Sequence, residues 1–342
     1  MKHVSAVAGT AAPSRRKGWP PELNALIGLI VLIVLFEILG WILKDQSFFF
    51  NKLRLSIMIT QVAVVGILAI GVTQVIISGG IDLSGGSVIG ATSMIAMSFA
   101  QSSVFPRAIF IEQGWVDLPI IIPILIGLAV AFTAGLINGL LVAYVKIPPF
   151  IATLGMMVTA RGVALWYTQG QPISFPTDSF KAMGAGLMPV WIFLGIAIIF
   201  TLILKFTLYG KHTYAIGSNE AAARMSGINV ERHLLLVYTI AGLLAGLAGL
   251  VLTARSQTAQ ALFGVTNELD AIAMAVIGGV SLSGGRGSIL GTAIGMLIFG
   301  VIFSGFIFLS VDAYYQNMVK GAIIVGAVAL DQWRQKRQAM AV

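Results

Sequence analysis

Six charged side chains lie inside or at the ends of long apolar runs of this sequence. A charge at the centre of a lipid bilayer costs about 3 kcal/mol or more, so such residues usually pair with one another or face a polar cavity. Carboxylates and cations at that depth could bind ions or line the path of a polar solute. The six residues are Glu37, Asp82, Arg161, Glu268, Asp270 and Lys320.

Asp82 is the charged residue whose surroundings most favour a role along a path. It lies in VIISGGIDLSGG, where glycines and serines, including Ser84, interrupt an apolar run. Arg161, in MMVTARGVALWY, lies well inside another apolar run. Two interpretations of Arg161 remain open: a residue of the path, or half of a structural ion pair with a carboxylate on another helix.

Glu268, Asp270 and a further polar residue, Asn138, have simpler interpretations. Glu268 and Asp270, in TNELDAIAMAVIGG, lie near a predicted helix start, where carboxylates interact favourably with the helix dipole. Asn138, in GLINGLL, is suited to a hydrogen bond between helices. All of these polar residues are candidates for a translocation path, and we expect structural roles for Glu268, Asp270 and Asn138. The candidates are Asp82, Ser84, Asn138, Arg161, Glu268 and Asp270.

Catalytic patterns are weak. The chain has no cysteine, which excludes disulfides, thiolate metal sites and cysteine nucleophiles. Its histidines, His3, His212 and His233, lack metal-ligand spacing, and no H-E-x-x-H occurs. None of them lies at membrane depth to activate a serine. We expect no enzyme, no bound cofactor and no metal site.

The tetrapeptide LSGG, which occurs twice, also matches the signature of ATP-binding-cassette ATPases. Such an ATPase needs a phosphate loop, G-x-x-x-x-G-K-[ST], whose backbone amides hold the phosphates. The one Gly-Lys pair, Gly210-Lys211, is followed by His212. The sequence therefore predicts that the chain itself does not bind ATP.

The composition indicates a membrane protein. Of 342 residues, 58% are hydrophobic and 10% are charged, and the mean hydropathy is +0.95. Soluble domains carry about 25% charged residues. The 39 glycines fit the close packing of helices in lipid. We therefore expect an all-α membrane protein.

Membrane spans need about 20 apolar residues each. The basic residues Arg15, Arg16 and Lys17 precede an apolar stretch, Leu26 to Leu43, that has no small-residue cleavage site, so we predict an uncleaved first span. The expected organisation is an N-terminal tail (1–22), a transmembrane domain (23–331) and a C-terminal tail (332–342). Ten spans are predicted, near 23–43, 55–78, 87–101, 119–144, 150–169, 190–209, 234–254, 268–280, 287–309 and 316–331.

Basic residues predict the orientation, because cytoplasmic loops carry an excess of lysine and arginine. With the N-terminus inside, thirteen basic residues fall inside and six outside, while Arg161 and Lys320 fall within spans. Both termini are then cytoplasmic. The excess positive charge, +8 in total, is therefore expected to face the cytoplasm and anionic lipid rather than a nucleic acid.

An internal repeat relates the two halves of the chain. IISGGIDLSGGSVIGAT (76–92) and VIGGVSLSGGRGSILGT (276–292) align with a one-residue shift at LSGG. Paired glycine-interrupted segments are typical of transporters built from two related halves. The sequence predicts glycine-broken helices at 78–86 and 278–287, bordering a polar path. The alternative is that the glycines only allow close helix packing.

The longest charged inner segment, 210–233, contains a short predicted helix. Ser218 or Asn219 can cap it, Glu220 and Arg224 can pair at i,i+4, and Gly227 can end it. A short helix between two spans could dock on a cytoplasmic partner. It could equally be a solvated connection.

Several long motifs of the chain resemble the permease subunits of bacterial ribose-type ABC importers. The resemblance covers roughly residues 50–335. The motifs are GVTQVIISGGIDLSGGSVIG, INGLLVAYVKIPPFIATLGMM, ARGVALWYTQGQPI, GKHTYAIGSNEAAARMSGINV, YTIAGLLAGLAGL, ELDAIAMAVIGGVSLSGGRGSILGT and DAYYQNMVKGAIIVGAVALD.

The resemblance implies a multi-pass permease of the bacterial inner membrane that works as a pair. It implies two further partners, a cytoplasmic ATPase with two nucleotide-binding cassettes and a periplasmic sugar-binding protein. The segment NEAAARMSGI matches the loop that couples to the ATPase. The residues expected in that role are Gly217, Asn219, Glu220, Ala221, Ala222, Arg224 and Gly227.

The substrate implied by the resemblance is a monosaccharide or polyol. The family handles ribose, xylose, arabinose, galactose, furanoses resembling autoinducer-2 and cyclic polyols, and the N-terminal half is most similar to ribose or inositol members. An ion-coupled secondary carrier remains the alternative, with Asp82 and Glu37 as its candidate ion sites. An intramembrane enzyme is a third class, without a catalytic constellation to support it.

Overall fold

The protein is built almost entirely from helices, as predicted. The structure is a computed structural model that describes residues 21–340. Within these residues, two two-residue strands accompany the helices and pair with each other antiparallel. The elements are α1 Pro21–Lys44, α2 Lys52–Ile77, α3 Gly85–Ala100, α4 Ile121–Ala143, α5 Pro149–Thr168, β1 Ile173–Ser174, α6 Asp178–Ala182, α7 Met188–Phe206, α8 Leu208–Ser218, α9 Glu220–Met225, α10 Val230–Ser256, β2 Thr258–Ala259, α11 Asn267–Ile277, α12 Ile289–Phe308 and α13 Ala313–Met340.

Seven of the helices described between residues 21 and 340 are long and apolar enough to cross a membrane: α1, α2, α4, α5, α7, α10 and α12. The other three predicted spans are also helical. Helix α3 has 16 residues and α11 has 11, so their lengths of about 24 and 17 Å fall short of a ~30 Å hydrocarbon core. Helix α13 is long enough, but Gln316, Asn317 and Lys320 lower its hydropathy. It continues to Met340 with no break at the boundary expected between 331 and 332.

One group of connecting segments meets at an end of the molecule that we call the sheet end. Strand β1 pairs with β2, with Ile173 opposite Ala259. The Ser102 N–H donates to the Phe175 carbonyl at 2.9 Å. Segments 101–120, 169–187 and 257–266 therefore lie together and form a short ordered surface rather than a separate domain.

A second group of segments meets at the opposite end, which we call the junction end. Asn138 Nδ2 donates to Ser84 Oγ at 2.9 Å, so the end of α4 lies beside the segment before α3. Ser288 Oγ donates to Glu22 Oε1 at 2.7 Å, which places the start of α1 beside the start of α12. Segments 78–84, 144–148, 207–229 and 278–288 lie at this end.

The core is centred on α2 and α10, where 61% and 72% of the residues in an apolar 18-residue stretch of each helix are buried. Helix α4 packs so closely on α10 that a Cβ at Gly135 would lie 2.6 Å from the Tyr238 carbonyl oxygen. Such contact needs glycine and explains part of the glycine content. Helices α1, α4, α5 and α7 expose apolar side chains on their outer faces, as lipid contact requires.

The two halves of the repeat end their first helices in the same way. Gly79 (φ +89°) and Gly279 (φ +96°) each follow a helix end in the left-handed region. The Gly80 N–H donates to the Val75 carbonyl at 2.9 Å, and the Val280 N–H donates to the Ala275 carbonyl at 3.0 Å. Both are Schellman caps. The helix ends are thus equivalent at an offset of 200 residues.

The LSGG sequences, in contrast, adopt different conformations. Gly85 and Gly86 begin α3 as helical residues. Gly284 and Gly285 are left-handed, with φ of +82° and +71°, and α12 begins only at Ile289. The second break is therefore longer than the first, and sequence similarity at LSGG is not structural equivalence.

Candidate functional site

The two helix breaks touch each other and the end of α8, in what we call the glycine junction (Ile77, Gly79, Gly217, Gly284 and Gly285). The Gly285 N–H donates to the Ile77 carbonyl at 2.8 Å. A Cβ at Gly217 would collide with that same carbonyl oxygen and lie 2.6 Å from the Gly285 nitrogen. A Cβ at Gly284 would lie 3.0 Å from Gly79 Cα. Three backbone segments thus meet with no room for side chains.

Two tyrosines of α8 strengthen this contact. Tyr214 Oη donates to the Gly287 carbonyl at 2.8 Å, in the second break. Tyr209 Oη donates to Gln74 Oε1 at 2.8 Å, one turn before the first break. Helix α8 is therefore bound to both breaks, and displacement of α8 must displace both or break these bonds.

A short helix, α9, follows α8. Asn219 caps α9 by accepting a hydrogen bond from the Ala222 N–H at 3.0 Å, and Gly227 (φ +83°) ends it, as the sequence predicted. Ala223 is buried, whereas Met225 is 91% exposed. The predicted inner loop, 210–233, differs in one respect: its residues 210–218 belong to the helix α8 rather than to a connection.

Ion pairs hold α9 in place. Arg224 contacts Glu220 at 3.1 Å, as predicted, and also Glu231 at 2.7 Å; Lys146 reaches Glu231 at 3.0 Å. Hydrogen bonds to Glu231 and then Glu220 raise the pKa of Arg224 above its usual value. This network joins α9 to the start of α10 and to the α4–α5 connection.

Asp82, Ser84 and Asn138 form one buried cluster in the first break. Asp82 Oδ1 accepts hydrogen bonds from the Ser84 N–H at 2.8 Å and from Ser84 Oγ at 2.6 Å. Asn138 Nδ2 in turn donates to Ser84 Oγ. Thr153 Oγ1 adds a 3.3 Å bond to the Ile81 carbonyl. The cluster fixes the backbone of the break and the entry into α3, with Asn138 in the interhelical role expected of it.

Arg161 and Glu268 share a groove of about 470 Å³ between α5 and the start of α11. Arg161 donates to the carbonyls of Ala261, Phe263 at 2.9 Å and Gly86 at 3.3 Å. No ion pair between described residues includes Arg161, so the ion-pair interpretation is replaced by carbonyl binding. The arginine ties α5 to the segment before α11 and to the start of α3.

Asp270 lies elsewhere, paired with Lys320 of α13 at 2.5 Å. Both side chains are largely buried, and Lys320 Nζ also donates to Thr266 Oγ1 at 3.1 Å. The predicted path residues thus fall into three places: the first break, the α5 groove and the α11–α13 contact. Glu268 and Asp270 both lie in the first turn of α11, as expected.

Glu37 has a local structural role. Its carboxylate accepts hydrogen bonds from Trp41 Nε1 at 3.0 Å and from the Phe49 N–H at 2.8 Å, which fixes the α1–α2 connection. Among the histidines, His233 Nε2 lies 2.8 Å from Thr213 Oγ1 at the contact of α8 with α10. His3 lies outside the described residues.

Sequence reasoning missed the residues that join these groups. Two hydrogen bonds, from Tyr209 to Gln74 and from Tyr214 to Gly287, join α8 to residues more than 70 positions away in the chain. Glu231 forms ion pairs with both Lys146 and Arg224. A polar residue in an apolar run, such as Gln74, is the one signal that could have indicated such a contact.

Comparisons with known proteins identify relatives along nearly the whole chain. A family model described as the permease component of branched-chain amino acid transport systems matches residues 54–328. The ribose import permease protein RbsC of Bacillus subtilis is 40% identical over 323 residues, which is 91% of this chain and 92% of the relative. RbsC of Escherichia coli K12 is 38% identical, over 93% and 96% of the two chains. The galactose/methyl galactoside import permease protein MglC of E. coli K12 is 36% identical, over 90% and 95%. No solved structure gives a significant match.

Proposed function

Because this chain belongs to the permease family of branched-chain amino acid transport systems, we propose that it is the transmembrane subunit of an ATP-binding-cassette importer for a monosaccharide or polyol. The family model alone leaves the solute open. The observation that favours a sugar is a sequence identity of 36–40%, along about nine-tenths of the chain, to proteins named as ribose and galactose import permeases. Ribose and galactose are the substrates to test first, followed by inositol.

The proposed complex has three kinds of partner. A separate cytoplasmic ATPase hydrolyses ATP, a periplasmic binding protein delivers the sugar, and a second copy of the permease completes the transmembrane part. The similarity of this chain to proteins named as ribose and galactose import permeases supports the assignment. The apolar outer faces of α1, α4, α5 and α7 fit a multi-pass position in the inner membrane.

Ten crossings with both termini in the cytoplasm are part of this proposal. The chain alternates between the two ends of the molecule along ten helices: α1, α2, α3, α4, α5, α7, α10, α11, α12 and α13. The two short members, α3 and α11, each adjoin a helix break in which several backbone groups are hydrogen-bonded to protein, as a non-helical segment in a membrane requires. The junction end carries Lys146, Lys211, Arg224, Arg232 and Arg286, which supports a cytoplasmic position for it.

Helix α9 is the proposed site of ATPase docking. It lies at the junction end, it exposes Met225, and Ala223 and its ion pairs bind it to the rest of the chain. ATP binding by the partner moves α9, and α8 carries the movement to Gly217. Because Gly217 contacts both breaks, one movement shifts α2 and α11 together. That coupled shift is how the importer alternates between outward and inward access.

The break at 78–84 is proposed to border the inner part of the path. Asp82, Ser84 and Asn138 form a polar cluster there. Burial of polar groups in apolar surroundings costs free energy, which favours a place for this cluster beside a polar path. The carboxylate is engaged by Ser84 and so serves to hold the break rather than to bind a coupling ion.

The direct experiment is uptake into lipid vesicles that contain the permease, its ATPase and its binding protein. Labelled D-ribose and D-galactose should accumulate only with ATP, and L-leucine should not. Uptake of L-leucine but of neither sugar would overturn the substrate class. Gradient-driven sugar uptake by the permease alone would favour the secondary carrier.

A further inference from the structure

A cavity of about 590 Å³ lies between α2, α11, α12 and α13, away from the glycine junction. Three of its walls, α2, α11 and α13, begin at the sheet end, and the cavity lies along their first turns. Each helix contributes one stripe of residues at helical spacing, such as Asn267, Asp270 and Met274 of α11. Its volume falls within the ~300–1,000 Å³ of small-molecule sites.

The charges that line this cavity are already neutralised or engaged. Lys320 and Asp270 form their ion pair in its wall, with side chains 14% and 12% exposed. Arg54 Nη1 donates to the carbonyls of Ser47 and Phe48, each at 2.9 Å, and its guanidinium lies 4.0 Å from the centre of the Phe308 ring. A ligand with a carboxylate or ammonium group would therefore lose its hydration without gaining a free counter-charge.

Amide side chains and the Ser304 hydroxyl supply the remaining polar side-chain groups. Gln61 of α2, Asn267 of α11 and Asn317 of α13 line the cavity, and none of them forms a side-chain hydrogen bond within residues 21–340. An amide offers both a donor and an acceptor, which is what a hydroxyl group needs. Phe303 adds an apolar ring wall suited to the C–H face of a sugar ring.

Two helices that line the cavity, α2 and α11, also extend to the glycine junction. Helices α2 and α11 both pass from the cavity to a helix break, and Gln61 lies about 24 Å along α2 from Ile77. A shift of the breaks therefore changes the cavity directly. A ligand site placed there is opened and closed by the movement that α8 transmits.

We propose that the cavity binds a neutral polyhydroxylated ligand, a monosaccharide or cyclic polyol, during translocation, with Gln61, Asn267 and Asn317 as hydrogen-bonding partners. The inference rests on the proposed function and adds to it the place and the groups that hold the solute. It also gives a physical reason to prefer a sugar over a zwitterionic amino acid.

The first test measures uptake by the complete importer in vesicles with D-ribose and D-galactose. Gln61→Leu and Asn317→Leu should each lower the maximal uptake rate about 3- to 10-fold, the effect of one lost hydrogen bond. Asn24→Leu, a polar position exposed on α1 outside the cavity, is the matched control and should leave uptake unchanged. If wild type takes up neither sugar, the proposed function fails. If wild type does and both cavity variants match the control, the cavity assignment alone is wrong.

A second test avoids the leucine substitutions, whose effect on folding could lower uptake by itself. Because the chain has no cysteine, Ser304→Cys places a single thiol in the cavity wall with little change in size. In lipid nanodiscs with ATPase, binding protein and ATP, saturating sugar should slow modification by a methanethiosulfonate reagent at least threefold. Asn24→Cys should be modified at the same rate with and without sugar. Equal rates for Ser304→Cys in a complex whose ATPase responds to sugar would overturn the assignment.

Discussion

The Gly285 N–H donates a 2.8 Å hydrogen bond to the Ile77 carbonyl, joining helix breaks that lie more than 200 residues apart. Ile77 is the last residue of α2, and Gly285 lies between α11 and α12. Gly217 of α8 packs against both groups. The two halves of the chain and the proposed docking segment therefore share one contact.

Gly217→Ala should damage this contact. Its Cβ would collide with backbone, which cannot move aside as a flexible side chain can, so we expect a loss of about 1–3 kcal/mol in stability and a strong loss of uptake. Gly155→Ala is the control, since no atom lies within 4 Å of its added Cβ. Thermal unfolding and vesicle uptake measure both effects. Normal uptake by Gly217→Ala would show that the junction is not needed for transport.

Glu220→Gln and Arg224→Gln should separate ATP hydrolysis from sugar uptake. Exposed ion pairs contribute only about 0–1 kcal/mol, so the fold should survive while the position of α9 is loosened. The number of sugars imported per ATP hydrolysed should fall severalfold. Lys211→Gln, an exposed change on α8, should keep the wild-type ratio. Wild-type ratios in both α9 variants would remove this helix from the coupling mechanism.

Lys320→Met should be strongly destabilising because it leaves Asp270 charged and largely buried without its partner. Losses of about 3–5 kcal/mol are typical when one member of a buried pair is removed. The double variant Asp270→Leu/Lys320→Met should recover most of the unfolding temperature but not uptake, since the pair also lines the cavity. Recovery of both properties would assign the pair a purely structural role.

Asp82→Asn and Asp82→Ala should differ. An asparagine oxygen can still accept the two hydrogen bonds from Ser84, whereas alanine leaves the Ser84 N–H and hydroxyl without that acceptor. Uptake should remain substantial in Asp82→Asn and fall at least tenfold in Asp82→Ala. Equal loss in both variants would mean that the charge itself is required, as a coupling-ion site would need.

Local patterns predicted the features that depend on neighbouring residues. The Asn219 cap, the Glu220–Arg224 pair and the glycine helix ends all depend on contacts within a few positions. The glycine ends of α2 and α11 were also predictable, because Schellman caps have a glycine signature. The seven long spans follow from apolar length alone.

The long-range contacts could not be predicted from the sequence. Nothing in MMVTARGVALWY indicates that Arg161 binds carbonyls of 261 and 263 rather than a carboxylate. Similar LSGG segments fold differently because Gly284 and Gly285 pack on α8, while Gly85 and Gly86 begin a helix. The dispersal of the candidate path residues over three places likewise depends on tertiary packing.

The most direct measurement of the central claim compares vesicles holding the permease alone with vesicles that also hold its ATPase, with binding protein and labelled D-ribose or D-galactose outside and ATP inside. We expect accumulation only when the ATPase and ATP are both present. Equal accumulation by the permease alone would contradict it.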